Sequence, residues 1–248
     1  MRHEAAQVGA FFDVDGTLLP EPSLERRFFS GLRRCGAIPL SNYLRWAGSA
    51  LRLLPQGLAV VRNGNKHYLC GVKADQIFQQ IAEIRFFEEA MERVAWHARQ
   101  NHCVVLMTGT LAPLAYLVAV ALGCELEARG VECPMSVRAT VLEEVHGAWT
   151  GKILGPAIFG DAKREAMKKF AAERGMELAE SYAYGNSLAD GPMLAAAGRA
   201  QVINPGRDMA ALANRQNWPI WHWHQEKRVV PGNGNRDGVK IRQVARHA

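Results

Sequence analysis

The chain has 248 residues, a hydrophobic fraction of 48% and a formal net charge of +6. This length and hydrophobicity suit one substantial domain that carries a smaller insertion, and they exclude disorder as the main state. The positive charge favours an acidic partner, and a phosphorylated metabolite, an anionic lipid and a nucleic acid would all qualify. The longest apolar stretch, residues 41–61, is interrupted by two arginines and a proline, so we expect no transmembrane segment.

Short apolar runs alternate with helical patterns along most of the chain. Strands are predicted at Val8–Val14, His102–Met107, Ser181–Tyr184, Ala200–Ile203 and Pro219–Trp223, and helices at Phe87–Arg99, Leu111–Leu122, Ala162–Arg174, Pro192–Ala197 and Asp208–Gln216. This alternation predicts an α/β fold, with a doubly wound, Rossmann-like and mostly parallel sheet that is covered by helices on both faces.

Two segments depart from the alternation. Residues 20–88 have helical periodicity and no convincing strand, which predicts a smaller all-helical cap inserted after the first strand. Alternating apolar residues around His146-Gly147 predict a β-hairpin at Met135–Ile153. We therefore expect a core of residues 1–19 and 89–224, a cap of residues 20–88, and a basic, mobile tail of residues 225–248.

The first predicted strand ends in Asp13-Val14-Asp15-Gly16-Thr17-Leu18. An isolated pair of aspartates at such a place is usually an ordinary turn. Here the apolar run before the pair and the Gly-Thr-Leu after it favour a functional site, because ligands of open α/β sheets bind at the carboxyl ends of the strands. Three further segments follow predicted strands or open a helix: Thr108-Gly109-Thr110, Lys163, and Asn186 to Asp190.

In this order, the four segments resemble the motifs of the haloacid dehalogenase superfamily. The position of the predicted cap resembles that of the phosphoserine phosphatase-like branch. The resemblance implies that Asp13 is the nucleophile and becomes phosphorylated, and that Asp15 is the general acid and base. A carboxylate is already ionised at neutral pH, so it needs no base to activate it. Thr108, Gly109 and Lys163 would hold the phosphate, and Lys163 would also neutralise the nucleophile.

The resemblance also implies a Mg²⁺ site formed by Asp13, the backbone carbonyl of Asp15, Asn186 and Asp190. Asn186 departs from the family pattern, because an aspartate is usual at its position. An amide oxygen still binds a hard cation, but the site loses one negative charge, so we expect weaker magnesium binding. The same departure leaves open a second interpretation, in which the chain is a phosphate-binding or regulatory protein with weakened catalysis.

The substrate stays open at this stage. Phosphoserine is the nearest candidate, but the family's substrate-binding glutamate has no clear match, since Glu21 lies between two prolines, and Ala189 stands where asparagine is usual. The predicted cap contains ten Lys and Arg residues against five acidic ones. This excess predicts a small substrate with more than one anionic group, or a lipid phosphate, held by Arg62, Lys66 and His67; no nucleic acid is expected.

Two further expectations concern the setting of the protein. Five cysteines without a C-x-x-C pair are typical of reduced thiols, and no apolar export segment precedes Asp13, so we expect a cytoplasmic protein. Leu44, Trp46 and Leu51, together with nearby arginines, form a pattern that a membrane-surface helix would also have. We favour an ordinary cap helix for this segment. The oligomeric state is left open.

Overall fold

The computed structural model describes residues 7–81, 83–224 and 239–240. Its strands are β1 Gly9–Phe12, β2 Glu83–Ile84, β3 Cys103–Leu111, β4 Met135–Val145, β5 Ala148–Leu154, β6 Tyr182–Gly185, β7 Arg199–Ile203, β8 Ile220–Trp221 and β9 Val239–Lys240. Its α-helices are α1 Leu24–Arg34, α2 Leu40–Leu53, α3 Leu58–Gly64, α4 Gln76–Gln80, α5 Glu88–Arg99, α6 Ala112–Ala128, α7 Asp161–Glu173, α8 Gly191–Ala196 and α9 Arg207–Gln216.

Seven strands form the main sheet, in the order β5-β4-β3-β1-β6-β7-β8. All neighbouring strands in it are parallel except β5, which pairs antiparallel to β4. Strand β1 lies at the centre, between β3 and β6. The predicted doubly wound α/β fold is therefore confirmed, and the carboxyl ends of β1, β3 and β6 meet at one edge.

The residues of β1 point alternately to the two faces of the sheet, as the pleat of a strand requires. Ala10 and Phe12 pack in one hydrophobic cluster with α5 and α6. Phe11 packs in a second cluster with α7, α8 and α9. Because both faces are buried, β1 is apolar at every position, and its first polar side chain is the aspartate that follows it.

Residues 20–88 hold α1 to α4 and follow β1, in agreement with the predicted helical insertion. One expectation for them is wrong, because Glu83–Ile84 forms the short strand β2, which pairs antiparallel with Val239–Lys240 of β9. A two-residue strand has no periodicity of its own, so only its distant partner defines it. The remainder of the tail that we expect to be mobile, residues 225–238 and 241–248, lies outside the described residues.

The predicted hairpin is present as β4 and β5. His146 and Gly147 form its two-residue turn, with φ values of 52° and 76° that suit a tight hairpin connection. Strand β5 also contacts the insertion, because the Gly71 N–H donates to the Trp149 carbonyl at 2.7 Å and the Trp149 N–H donates to Val72 at 2.9 Å. The hairpin thus supports one side of the helical insertion.

Strand β3 is longer than the strand predicted at His102–Met107. Strand β3 runs past Met107 through an irregular step, and Leu111 pairs with Thr140 of β4. Helix α6 begins at Ala112, one residue after its predicted start at Leu111. Within the described part of the chain, no helix is long and apolar enough to cross a bilayer.

Candidate active site

Asp13 directly follows the central strand and is 7% exposed. Its backbone N–H donates to the Tyr184 carbonyl of β6 at 2.9 Å, which holds the end of β1 against its neighbour. The chain then turns at once, with N–H groups of Leu18 and Leu19 donating to the Val14 carbonyl. This local order keeps the Asp13 carboxylate at the edge of the sheet.

Lys163 lies in the first turn of α7 and is only 2% exposed. Its ammonium nitrogen lies 2.6 Å from Asp13 Oδ1 and 2.5 Å from Asp190 Oδ1, so one cation bridges two carboxylates. The start of α7 is fixed because the Gly160 N–H donates to the Ala189 carbonyl at 3.0 Å. Gly160 is the residue that precedes the helix.

Asp190 is 1% exposed and is held in one orientation. Its Oδ2 accepts hydrogen bonds from the Ser187 hydroxyl at 2.7 Å, the Ser187 N–H at 3.0 Å and the Asn186 N–H at 3.2 Å. A side chain at position 185 would collide with it, because a Cβ there would lie 2.5 Å from the Asp190 Cβ. Gly185 therefore makes room for the second carboxylate of the site.

Asp15 is held by two other elements. Its Oδ1 accepts the Leu24 N–H at 2.7 Å, at the start of α1, and its Oδ2 accepts the Thr110 hydroxyl at 2.5 Å. Leu111, and not Thr110, is the residue that precedes α6. The sequence alone gave no signal for this contact, because it joins residues that are far apart in the chain.

The buried charges shift each other's pKa values. Burial raises the pKa of Asp13 to about 7, and the nearby negative charge of Asp190 adds to this, while Lys163 opposes it. Burial favours neutral Lys163, but the two carboxylates outweigh it and raise the pKa of its ammonium group. Burial also favours protonated Asp190, yet Lys163 and Ser187 hold the pKa of this carboxyl below its ordinary value.

Burial raises the pKa of Asp15, and the hydrogen bonds from Thr110 and Leu24 limit the rise. Asp15 is therefore both fixed in position and easier to protonate than an exposed aspartate. These are the two properties that a general acid needs.

Thr108 lies within β3, two residues beyond Leu106, which is the last residue of β3 that pairs with β1, and it is 1% exposed. Its hydroxyl accepts the Thr110 N–H at 3.2 Å. Gly109 lies close to the loop before α7, since a Cβ at this position would be 3.3 Å from the Ile158 carbonyl. Thr108 is thus linked to Asp15 through Thr110, and the contact of Thr108 and Gly109 with phosphate stays a prediction.

The donor set at this edge fits Mg²⁺. Asp13 Oδ2 accepts a long hydrogen bond, 3.5 Å, from Thr17, which leaves this oxygen available to a ligand. Asn186 lies against Gly16, because a Cβ at position 16 would be 2.0 Å from its Nδ2. Carboxylate, amide and backbone oxygens suit a hard cation. Among the described residues, no group of three His, Cys, Asp or Glu side chains is placed to hold a metal ion, and Asn186 would supply an amide oxygen in place of a carboxylate.

None of the hydrogen bonds and ion pairs described so far involves the predicted substrate residues of the insertion. Lys66 is 4% exposed and forms an ion pair with Glu25, whose carboxylate also accepts the Tyr68 hydroxyl at 2.6 Å. His67 is half-buried, and the side chain of Arg62 lies outside the described part of the structure. Lys66 therefore already has a partner, and its contact with a substrate remains a prediction.

Sequence reasoning missed Arg27, one turn into α1. Its Nη1 donates to the Glu83 carbonyl at 3.3 Å, while its Nε is buried without a hydrogen-bond partner. Burial lowers the pKa of its guanidinium, and Asp15 is the first of the groups that oppose this. A basic residue so soon after the Asp13 segment is the signal that could have identified it.

Comparisons with known proteins agree with this geometry. The model of the haloacid dehalogenase-like hydrolase family matches residues 10–195. Phosphoserine phosphatase SerB1 of Mycobacterium tuberculosis is 28% identical over 224 residues, which are 85% of this chain and 69% of that protein.

Two solved structures are similar in fold. A protein with unknown function from Bordetella pertussis Tohama I has a TM-score of 0.66 and 22% identity, over 87% of this chain and 98% of that chain. A phospho-aspartyl intermediate analogue of phosphoserine phosphatase has a TM-score of 0.56 and 17% identity, over 98% and 99% of the two chains. With the family match extending from β1 to α8, the chain belongs to the haloacid dehalogenase-like hydrolase family.

Proposed function

We propose that the protein is a magnesium-dependent phosphatase that hydrolyses a phosphate monoester through a phosphorylated Asp13. The observation that carries the proposal is the pair of aspartates at the end of β1. Asp13 is ion-paired with buried Lys163, and Asp15, two residues on, is fixed by Thr110 and Leu24. Lys163 favours the charged form of Asp13 against the burial that raises its pKa to about 7, and Asp15 is placed to exchange a proton.

In the first step, an oxygen of Asp13 attacks the phosphorus atom and the bond to the substrate oxygen breaks. Asp15 donates its proton to the leaving alkoxide. Its raised pKa favours this role, because a larger fraction of the carboxyl is protonated near neutral pH. Thr108 and the Gly109 N–H are proposed to hold the phosphate oxygens in line with Asp13.

In the second step, Asp15 is a carboxylate and accepts a proton from water, which attacks the phosphorus atom and releases phosphate from Asp13. Proton transfer by a positioned side chain typically contributes about 10² to 10⁴ in rate. Lys163 counters the negative charge throughout, since it stays protonated between its two carboxylates. When bound by Asp13, the Asp15 carbonyl and Asn186, with support from Asp190, Mg²⁺ would supply further charge neutralisation.

We further propose that residues 20–88 act as a cap that selects the substrate over the core of residues 1–19 and 89–224, in the cytoplasm. Arg27, Arg62, Lys66 and His67 are the proposed contacts, since all four have basic side chains. Phosphoserine, another small phosphorylated metabolite and a lipid phosphate all remain candidates. The Glu25–Lys66 pair argues against phosphoserine. Lys66 neutralises the carboxylate of Glu25, so this carboxylate would attract the ammonium group of a phosphoserine substrate only weakly.

The proposal is tested by phosphate release from p-nitrophenyl phosphate, with and without Mg²⁺, in the natural protein and in Asp13→Asn. We expect release that requires the metal and that is lost in the variant. Full activity in Asp13→Asn, or release without metal, would refute the mechanism.

A second candidate is a phosphate-binding or regulatory protein with little turnover, which Asn186 favours because it removes a charge from the metal site. That candidate predicts binding of inorganic phosphate without hydrolysis of any monoester.

A further inference from the structure

Helix α2 presents a stripe of leucines to solvent. Leu40, Leu44 and Leu51 are 83%, 75% and 73% exposed. Their spacing of four and seven residues places them on one face of the helix, together with exposed Ala47. A helix in a water-soluble protein normally turns such a stripe towards the core, so this orientation requires an explanation.

The other side of α2 attaches to the protein through polar contacts. Asn42 is 4% exposed, and its side-chain amide donates to the carbonyls of Tyr68 at 3.2 Å and Cys70 at 2.6 Å. Asn65 donates to the Trp46 carbonyl at 2.8 Å. The insertion is therefore held together without the leucine stripe, which leaves the stripe free for another contact.

The apolar surface continues beyond the helix. Leu54 and Leu58 are 50% and 75% exposed, and we call these two residues with Leu40, Leu44 and Leu51 the leucine surface. Beside it, α2 and α3 enclose an apolar groove of about 300 Å³. The residues that line the groove are Trp46, Ala47, Ala50, Leu51, Leu54 and Val61.

The charge around the leucine surface has a single sign. Residues 26–74 contain nine Lys and Arg residues and no Asp or Glu. Arg45 and Arg52 are exposed on α2, seven residues apart, and so flank the stripe on one side of the helix. Exposed leucines bordered by arginines, in a segment without acidic residues, form the pattern of a helix that lies in the interface of an anionic membrane.

We propose that the leucine surface docks the protein onto anionic lipid bilayers. A helix of 14 residues is about 21 Å long and too short to cross the hydrocarbon layer, so it would lie in the plane of the membrane. The leucines would enter the boundary between headgroups and acyl chains, and Arg45 and Arg52 would pair with lipid phosphates. The interpretation of α2 as an ordinary cap helix is replaced by this one.

Charge also decides between a membrane and a second copy of the chain. A symmetric dimer through the leucine surface would place the same cations opposite each other, because both partners use the same patch. No acidic residue between positions 26 and 74 is available to pair with them. An anionic bilayer satisfies the apolar and the basic parts of the surface together.

The test is sedimentation of the full chain with vesicles of phosphatidylcholine, either alone or mixed with phosphatidylglycerol. We expect binding that increases with the anionic lipid and decreases with salt. Leu44→Ser/Leu51→Ser should lower the affinity about tenfold or more, because it removes most of the exposed stripe. Arg45→Gln/Arg52→Gln should reduce the dependence on phosphatidylglycerol.

The matched control is Val145→Ser/Leu154→Ser, which changes two residues of the hairpin that are each 49% exposed. It should bind vesicles as the natural protein does, and all variants should keep their activity on p-nitrophenyl phosphate. The proposal would be overturned if the natural protein did not bind vesicles, or if the leucine variant bound them equally well. It would also be overturned if the natural protein formed a stable dimer and the leucine variant were a monomer. Vesicle binding involves no turnover, so its failure is distinguishable from failure of the proposed phosphatase activity.

Discussion

Asn186 brings an amide to the edge of the sheet where an aspartate is usual in the family. The side chain of Asn186 lies against Gly16, and Gly16 belongs to the loop that carries Asp13 and Asp15. Lys163 already places a positive charge between two carboxylates at this site. A cation that binds beside Lys163 therefore meets less negative charge than it would in a site where residue 186 is an aspartate.

For this reason, Asn186→Asp should lower the Mg²⁺ concentration that gives half-maximal activity, by about tenfold, which corresponds to about 1.4 kcal/mol of binding free energy. The measurement is phosphate release at increasing Mg²⁺ concentrations. Asn101→Asp, an equal charge change at an exposed turn, is the control and should leave the requirement unchanged. The same requirement in both variants would contradict a direct role for residue 186.

Individual residues of the site were predictable to different degrees. Asp13, Lys163 and Asp190 could be named because their segments have a recognisable order, and the structure joins all three through one ion-pair network. Thr110 and Arg27 were not assigned to the site, because their contacts with Asp15 and Glu83 depend on how distant segments pack. Local patterns identify residue types, whereas tertiary packing decides their partners.

At the scale of elements, the loop after β1 depends on Gly16. Its φ of 80° lies in the left-handed region, and a Cβ there would also overlap the Asn186 side chain. Gly147, in the hairpin turn, has a similar φ of 76° but has open space around it. Substitution of either glycine thus has the same backbone cost, but only a side chain at position 16 would also collide with Asn186.

Gly16→Ala should therefore destabilise the protein by more than the roughly 1 kcal/mol expected for Gly147→Ala, and only Gly16→Ala should raise the Mg²⁺ requirement. Chemical denaturation gives the stabilities, and activity at increasing Mg²⁺ gives the requirement. If the two variants lost equal stability and bound the metal equally, Gly16 would have no role beyond its backbone angle.

Elements were predicted best where the pattern is long. The alternation of α5, β3, α6 and α7 was correct, and the hairpin was recognised from its His146-Gly147 turn. The continuation of β3 to Leu111 was missed because its last residues follow an irregular step and pair with Thr140, which no local pattern reports. The exposed face of α2 was missed because a periodic stripe does not tell which side of a helix is covered.

For the whole molecule, stability should depend on pH through His97. This residue is fully buried, with Nε2 2.8 Å from the Tyr184 hydroxyl and Nδ1 2.8 Å from His102 Nδ1. Burial lowers the pKa of His97 from 6.5 to about 3, and positive charge on His102 and Arg93 adds to the effect. Between these pH values the unfolded chain binds a proton that the folded chain does not.

The free energy of unfolding should therefore fall as the pH drops below about 6.5, by at most roughly 1.4 kcal/mol per pH unit from this residue. His97→Gln keeps a polar group for Tyr184 but cannot be protonated. We expect the stability advantage of the natural protein over this variant to shrink between about pH 7.5 and about pH 5. Parallel pH profiles, measured by denaturant unfolding, would show that His97 is not responsible.

The overall architecture followed from the alternation of strands and helices, because parallel neighbours need helical crossovers. The pairing of β2 with β9 could not be predicted from this alternation, since it joins the insertion to the tail, which lie far apart in the chain. Where the four functional segments meet is thus a property of the sheet order, with β1 between β3 and β6.

The central claim is that Asp13 carries the phosphoryl group, and the mass of the intact Asp15→Asn variant tests it most directly. With p-nitrophenyl phosphate and Mg²⁺, the good leaving group should allow the transfer to occur without a general acid. Release of phosphate should then be slow, because residue 15 can no longer activate water. We predict one added phosphoryl group per chain, located on Asp13 by peptide mapping. A phosphoryl group on another residue, or p-nitrophenol release without any labelled protein, would contradict the account.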